Sequence, residues 1–455
     1  MALFRRLLLA LSLTPSAFAA DLLDVYQQAL DSDPIFKEAY HTYLSSTEAV
    51  PQAAAALYPQ MSLTGQKARN DIFVSTSIDV SETYTSGQWQ LTASQALFNW
   101  SAWNQVKQAK ASVKATQAIF NDAAQDLMIR TTTAYMDALL AKDTLAFAEA
   151  KKRANKRQLD QAQQRFNVGL ETITSVYEAK AAYDQSIAEV ISAENSTINK
   201  SENIRKLTNH TYESLAPLRN SRVPLITPVP THVEDWIDAG LRQNYKLFAA
   251  RFNQEAAREN IKVQVANNLP TVSLQANAVK THNQVDDTTF FVPFQQNSRN
   301  IAVALNFPIF QGGLVVSQTR QAHDDFEVAS DKFDQAFRDV EVNTRIQYNT
   351  IIDGISKVKA DAVTVESQKN SLQSTEAQFE VGTRTMVDVV NAQQRLFDAQ
   401  RQLAQDQYAY ILVILNLKYL AGSLSVSDLE EVNAWLATTR VSSFPPKTAK
   451  VRNMN

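Results

Sequence analysis

The sequence predicts a mostly helical subunit whose long coiled-coil helices act as staves, with four short β-strands inserted among them and the whole plan laid down twice. Three observations support this. A set of motifs recurs at a constant spacing. The stretch from Asn99 to Arg165 contains no Gly or Pro. Two segments in each half alternate between apolar and polar residues with a period of two.

The repetition is clearest in QRFNVGLETITSVYEAK (164–180) and AQFEVGTRTMVDVVNAQ (377–393), where Phe166 and Gly169 align with Phe379 and Gly382 at one shared offset. LYPQMSL (57–63) returns as NLPTVSL (268–274), aligning Pro59 with Pro270 at nearly the same offset. QALFNW returns as FPIFQG, aligning Phe98 with Phe310, and LLDVYQQALDSD (22–33) aligns with VEDWIDAGLRQN (233–244). Several landmarks that keep one offset so closely indicate an internal duplication.

Read in order, residues 1–20 form a signal peptide. MALFRR gives a charged start, LLLALSLTPSAF an apolar stretch too short to span a bilayer, and Ala17-Phe18-Ala19 a cleavage site. The first repeat is expected over 21–215 and the second over 233–436. Each runs as one helix, two strands, a very long helix, a Val-Gly turn and a returning helix. Between them lies 216–232, where four prolines break any helix. Residues 437–455 read as a basic, disordered tail.

The strands are expected in segments such as QWQLTASQALF, TVSLQANAV and NIAVALNF, joined by polar loops over 69–87 and 281–298. Trp89, Leu91, Ala93 and Leu97 share one side, and Gln88, Gln90, Thr92 and Ser94 the other. Such a pattern, flanked by Phe73, Trp89, Trp100, Trp103, Phe290, Phe291 and Phe310 as girdles, fits lipid-facing barrel strands. A half-buried sheet in a soluble domain fits the same pattern. If the strands lie in lipid they must close, and four are too few. Subunits must then share one barrel, which a dimer would already satisfy.

The uninterrupted run from Asn99 would make a rod of ~100 Å, unsuited to an ordinary globular core. In the last helix Val389, Leu396, Leu403, Tyr410 and Leu417 fall on every seventh position, beside Val390, Phe397, Ala404 and Ile411. A heptad repeat of this length specifies a coiled coil. Ala392, Ala399 and Val413 add a third column, broken by Asp406, and Asp388, Asn391, Arg395, Asp398, Gln402 and Gln405 form a polar face opposite. Neighbours on two flanks and one wet face describe a stave in a hollow barrel.

The net charge of −3 gives no nucleic-acid footprint, and the absence of Cys excludes disulfides and a thioether lipid anchor. No catalytic residue, cofactor site or metal site is expected. The five histidines are scattered, and neither a Gly-x-Ser-x-Gly elbow nor a phosphate loop occurs.

Together LLDVYQQAL, RFNVGL, LPTVSL, FPIFQGG and FEVGTRTMVDV, in duplicated order, resemble the TolC family of outer-membrane efflux proteins over nearly the whole chain. The resemblance implies an all-α subunit with a β-barrel contribution: coiled-coil α-barrel staves plus four transmembrane β-strands. It implies a homotrimer with a twelve-stranded outer-membrane barrel and a long periplasmic α-barrel, in contact with outer-membrane lipid. It also implies efflux of small toxic compounds and, in some members, type I protein secretion. The partners would be a periplasmic adaptor and an inner-membrane pump or ABC transporter.

In the same reading the Val-Gly hairpins are the periplasmic tips. Val168, Gly169, Leu170, Val381, Gly382 and Thr383 would meet the adaptor. Phe379, Arg384, Asp388, Gln158 and Thr174 would form the closing network and constriction. Two departures stand out: Ser175 and Asn391 occupy places where the family pattern expects acids. Read from the residues alone, Arg384 and Asp388 are an ordinary surface pair four apart on a helix. A structural or adhesive coiled-coil protein anchored by a small barrel is the second reading, and an outer-membrane enzyme the third.

Overall fold

The computed structural model describes residues 19–75, 79–219, 222–285 and 294–437. The segment expected to be a signal peptide (apart from its last residues), Phe290, Phe291 and the expected tail beyond Ala437 lie outside the described residues.

The chain begins with α1 (Leu22–Ser32), α2 (Pro34–Thr47) and α3 (Ala49–Ala55), then β1 (Gln60–Val74) and β2 (Val80–Phe98). Next come α4 (Trp100–Asn167) and α5 (Ile173–Thr208). The second half repeats the order with α6 (Val233–Gln243), α7 (Tyr245–Ala266), β3 (Thr271–Val285), β4 (Phe294–Asn306), α8 (Leu314–Glu380) and α9 (Met386–Leu420), followed by α10 (Val426–Ala434). At 68 and 67 residues, α4 and α8 are the long rods the sequence predicts.

Each repeat opens with a broken helix where one continuous helix was expected. Asp33 and Asn244, equivalent positions of the two repeats, both leave the helix with ψ of 121° and 124°. At Asp33 the cause is Pro34, whose ring excludes a helical predecessor. At Asn244 the side-chain amide donates to Leu420 O at 2.9 Å instead.

The described residues fall into two compact units, drawn from Met1–Lys37, Ala123–Asn244 and Glu341–Asn455, and from Glu38–Asp122 and Tyr245–Val340. The second unit holds the sheet, antiparallel in the order β1-β2-β3-β4. Register places Met61, Leu63, Leu91, Ala93, Leu274, Ala276, Ile301 and Val303 on one face. Ser62, Thr64, Gln90, Thr92, Gln275, Asn277, Asn300 and Ala302 occupy the other. Among the described residues the outer edges of β1 and β4 are unpaired.

The strands run further than expected, for β1 and β2 continue through most of the segment expected to be a loop. There polar residues stand on both faces and the apolar Ile72, Phe73 and Val74 follow one another directly, so alternation disappears while the ladder continues. Phe73, Trp89, Trp100, Trp103 and Phe310 are exposed, as girdle positions require. No described helix is long and apolar enough to cross a membrane.

In the first unit a large core gathers Leu22, Tyr135, Met136, Ile351, Ile411 and Leu415. The heptad columns face inward: Val389, Leu396, Tyr410, Leu417, Ala404 and Ile411 are buried and Leu403 is half-buried, whereas Asn391, Arg395, Asp398, Gln402 and Gln405 are exposed or half-exposed.

A buried ion pair fixes the start of this unit. Arg130 donates through Nη1 and Nη2 to the two oxygens of Asp33 at 3.2 and 2.8 Å, and Asp33 also accepts from the Phe36 amide at 3.0 Å. Burial raises the Asp33 carboxyl, but the Arg130 guanidinium and the Phe36 and Ile35 amides outweigh it and hold the group below its usual range. Stability from a depressed acid is present above its unfolded pKa of about 4 and is lost as pH falls through the lower folded value. Asp33→Ala should lower unfolding stability by about 3 kcal/mol, the low end for a broken buried pair because Arg130 is partly exposed. Chemical denaturation at pH 7 and pH 3 checks this: the gap between wild type and variant should shrink at the lower pH.

Candidate functional site

The two hairpins predicted from the Val-Gly repeats are built by the same backbone device. At the end of α4, Gly169 has φ +76°. Its N–H donates to Phe166 O at 2.9 Å, and the Leu170 N–H donates to Arg165 O at 2.8 Å. At the end of α8, Gly382 has φ +79°, with Gly382 N–H to Phe379 O at 3.0 Å and Thr383 N–H to Gln378 O at 2.9 Å. This is the Schellman closure, which needs a left-handed residue and so favours glycine.

The next helices start differently. Thr385 caps α9: its hydroxyl accepts from the Asp388 N–H at 3.3 Å, while Asp388 Oδ2 accepts from the Thr385 N–H and Oγ1 at 2.9 Å each. Thr172 caps α5 in the same way, through the Ser175 N–H at 3.4 Å. Ser175 holds the place in the first repeat that Asp388 holds in the second, so the capping box is complete only in the second hairpin. The shorter Ser175 instead donates its hydroxyl to Glu171 Oε1 at 2.8 Å. Hydrogen bonds from Thr385, and the nearby Arg384 and Arg395, keep the Asp388 carboxyl below its ordinary range.

A small core joins the hairpins: Ala162, Val176, Ala179, Phe379, Met386 and Val389. Phe379 is only 5% exposed, and the Arg165 guanidinium lies 5.1 Å from its ring centre. Arg165 also reaches Glu171 at 3.7 Å, so one cation serves both hairpins. Gln158 and Gln393, both buried, are bonded to each other, leaving Gln158 Oε1 and Gln393 Nε2 without partners among the described residues.

Arg384 is exposed, donates to Gln378 Oε1 at 3.1 Å and lies 3.8 Å from Asp388. No hydrogen bond or ion pair among the described residues joins it to Gln158 or Thr174. Thr174 and Asn391 are exposed. At the turns Val168, Leu170 and Val381 are exposed, Leu170 by 70%, and space around Gly169 and Gly382 is open. Sequence reasoning missed Gln393 and Arg165, and took Glu171 only as part of the VGLE tip that would dock the adaptor, not as a partner of Arg165. Its further role was findable, because the repeat offset aligns it with Arg384 and so gives the two tips opposite charge at the same place. No group of described residues could hold a metal ion.

The profile of the outer membrane efflux protein family matches residues 25–210 and 236–423, one stretch in each repeat. The chain is 33% identical over 437 residues to the outer membrane protein TolC of Vibrio cholerae serotype O1, covering 94% of this chain and 97% of that one. It is 28% identical over 437 residues to the alkaline protease secretion protein AprF of Pseudomonas aeruginosa, covering 93% and 89%. Among solved structures, the outer membrane protein VceC of Vibrio cholerae superposes with a TM-score of 0.73 at 18% identity, covering 88% and 96%. The resemblance drawn from RFNVGL, LPTVSL and FEVGTRTMVDV is thus borne out, as are the helical fold and its four strands. Channels of this kind are homotrimers. The chain belongs to the outer membrane efflux protein family, and it is an outer-membrane efflux channel with a periplasmic helical extension, a transport protein rather than an enzyme.

Proposed function

We propose that three copies of this chain pool their sheets into one twelve-stranded barrel and their helices into a duct that a periplasmic adaptor connects to an inner-membrane pump or ABC transporter. The observation that carries this is the open sheet. It has an apolar face, a polar and nearly uncharged face, and two edges that are unpaired among the described residues and that lipid cannot satisfy. The polar face lines the water path and the apolar face meets lipid. Small toxic compounds are the expected cargo, and likeness to a protease secretion protein adds exported polypeptide as a second.

The hairpin tips form the periplasmic mouth. Val168, Leu170 and Val381, exposed around turns fixed by Gly169, Gly382 and Thr383, offer apolar knobs to the adaptor. Arg384, Gln158 and Thr174 hold the mouth closed, with Phe379 keeping each pair of hairpins together from within. Glu171 supplies, one turn away, the carboxylate that Ser175 lacks. Asp388 and Asn391 line the constriction, so a trimer carries three carboxylates there.

Conductance of the purified protein in planar bilayers tests the reading. Low, steady single-channel conductance is expected from the wild type, and severalfold higher resting conductance from Arg384→Ser. A protein that forms no pore would overturn the duct. A pore indifferent to Arg384→Ser would leave the duct standing and remove Arg384 from its closure.

A further inference from the structure

The charges on the sheet are sorted by face. Lys67, Arg69, Lys280 and Arg299 all share the face of the apolar band, as register requires. Of the strands' charged residues only Glu82 holds a position on the opposite face. Asp71, the one acid beside the cations, is engaged by Thr83 Oγ1 at 2.6 Å. All four cations are exposed, and none forms an ion pair among the described residues. Solvation alone would not sort them this way, because the opposite face is the more polar of the two.

The cations also keep step with the edge of the apolar band. Arg299 shares a row with Ala278, Leu91 and Leu63; Lys280 lies one row outward with Trp89 and Gly65; Lys67 lies one further with Gly87 and His282. The band itself ends higher on β1, at Leu63, than on β4, at Ile301, which is in register with Met61. A line slanted across register is what lies level in a barrel whose strands tilt by about 40°.

All four helical connections join the sheet at one end, and the Val74, Val80, Val285 and Phe294 ends of the strands lie at the other. With the helices in the periplasm, the cations sit on the outward side of the band. A shallow hollow of ≈ 610 Å³ opens there over Gly65 and Gly87, lined by Lys67, Lys280 and His282. Trp89 closes its inner side, with the indole lying across Gly65, where a Cβ would approach it to 2.7 Å.

We propose that this belt binds the phosphate groups of glycolipid headgroups in the outer leaflet. Lys and Arg supply charge-assisted donors to phosphate oxygens, and an interfacial indole with acyl chains below it completes the seat. The ligand class is a phosphomonoester-bearing, acylated sugar headgroup.

The full-length protein in detergent should be incubated with bisphosphorylated lipid A, its dephosphorylated form or phosphatidylglycerol, and bound lipid counted by native mass spectrometry. Retention of the bisphosphorylated lipid alone is expected. Combining Lys67→Gln, Arg69→Gln, Lys280→Gln and Arg299→Gln should weaken it by nearly three orders of magnitude, at about fivefold per charge. Lys67→Arg with Lys280→Arg should retain it. Equal retention of the dephosphorylated lipid or of phosphatidylglycerol, or undiminished binding by the neutralised protein, would overturn the proposal. If the fourfold variant does not assemble, Lys280→Gln and Arg299→Gln singly decide, with about fivefold loss expected of each and no loss counting against it.

Discussion

Gly422→Ala is expected to lower the heat stability and the outer-membrane yield of the channel sharply, whereas Gly169→Ala and Gly382→Ala lower them only slightly. All three glycines close a helix in the left-handed region, with φ of +70°, +76° and +79°. Alanine there costs about 1–2 kcal/mol. At the hairpin tips that is the whole cost, because a Cβ would meet nothing within 4 Å. At Gly422 a Cβ would lie 2.3 Å from Gln243 O and 2.8 Å from the Asn244 N, which are backbone atoms that no rotamer change can move. The same junction carries Asn244 Nδ2 to Leu420 O at 2.9 Å and Gln125 Nε2 to Leu424 O at 2.8 Å. Displacing Asn244 breaks the first and strains the second. Overpacking adds about 1–3 kcal/mol, for a total near 3 kcal/mol or more, a large share of ordinary stability. Heat stability of the purified protein and its yield in the outer membrane check the ranking. A Gly422→Ala protein as stable as Gly382→Ala would show that the α6–α7 junction moves freely.

The same junction marks where the sequence could be read and where it could not. Gly169 and Gly382 were legible because a recognisable motif surrounds them in both halves. Gly422 was equally periodic, since the same offset aligns it with Asn209, which also ends its helix left-handed at φ 54°. That pair escaped because Asn replaces Gly in one copy and the flanking residues differ. The heptad columns of α9 were legible because burial enforces them. The outer parts of β1 and β2 were not, because a strand with water or headgroups on both sides has no reason to alternate. At the tips, Arg384 and Asp388 stand four apart on one face, and the structure joins them at 3.8 Å. The bond between Gln158 and Gln393 joins opposite halves of the chain, and neither residue repeats in the other copy. Only packing of the two hairpins brings them together.

Asn391→Asp is expected to make the pore distinctly more cation-selective. Asp388 sits in the first turn of α9, where the Thr385 N–H and hydroxyl hold its carboxylate and favour the ionised form. Its charge therefore persists below the usual carboxylate range, and selectivity due to it should survive mild acidification. Asn391 follows one turn later, exposed and free of such bonds among the described residues. In the constriction proposed above, an aspartate there would double the ring from three carboxylates to six in a trimer. For an ion passing within about 8 Å in water at 0.15 M salt, each added charge contributes roughly 0.2 kcal/mol after screening. Three of them raise cation occupancy about two- to threefold, and the gain for a divalent ion is the square of that. Reversal potentials under a KCl gradient should shift toward the potassium limit, and block by trivalent cations should tighten. The added carboxylates lack the capping bonds, so they should titrate at higher pH than Asp388 and the gain should disappear first on acidification. Equal selectivity in the two proteins would place the constriction away from the first turns of α9, and with it the mouth that the paired hairpins form.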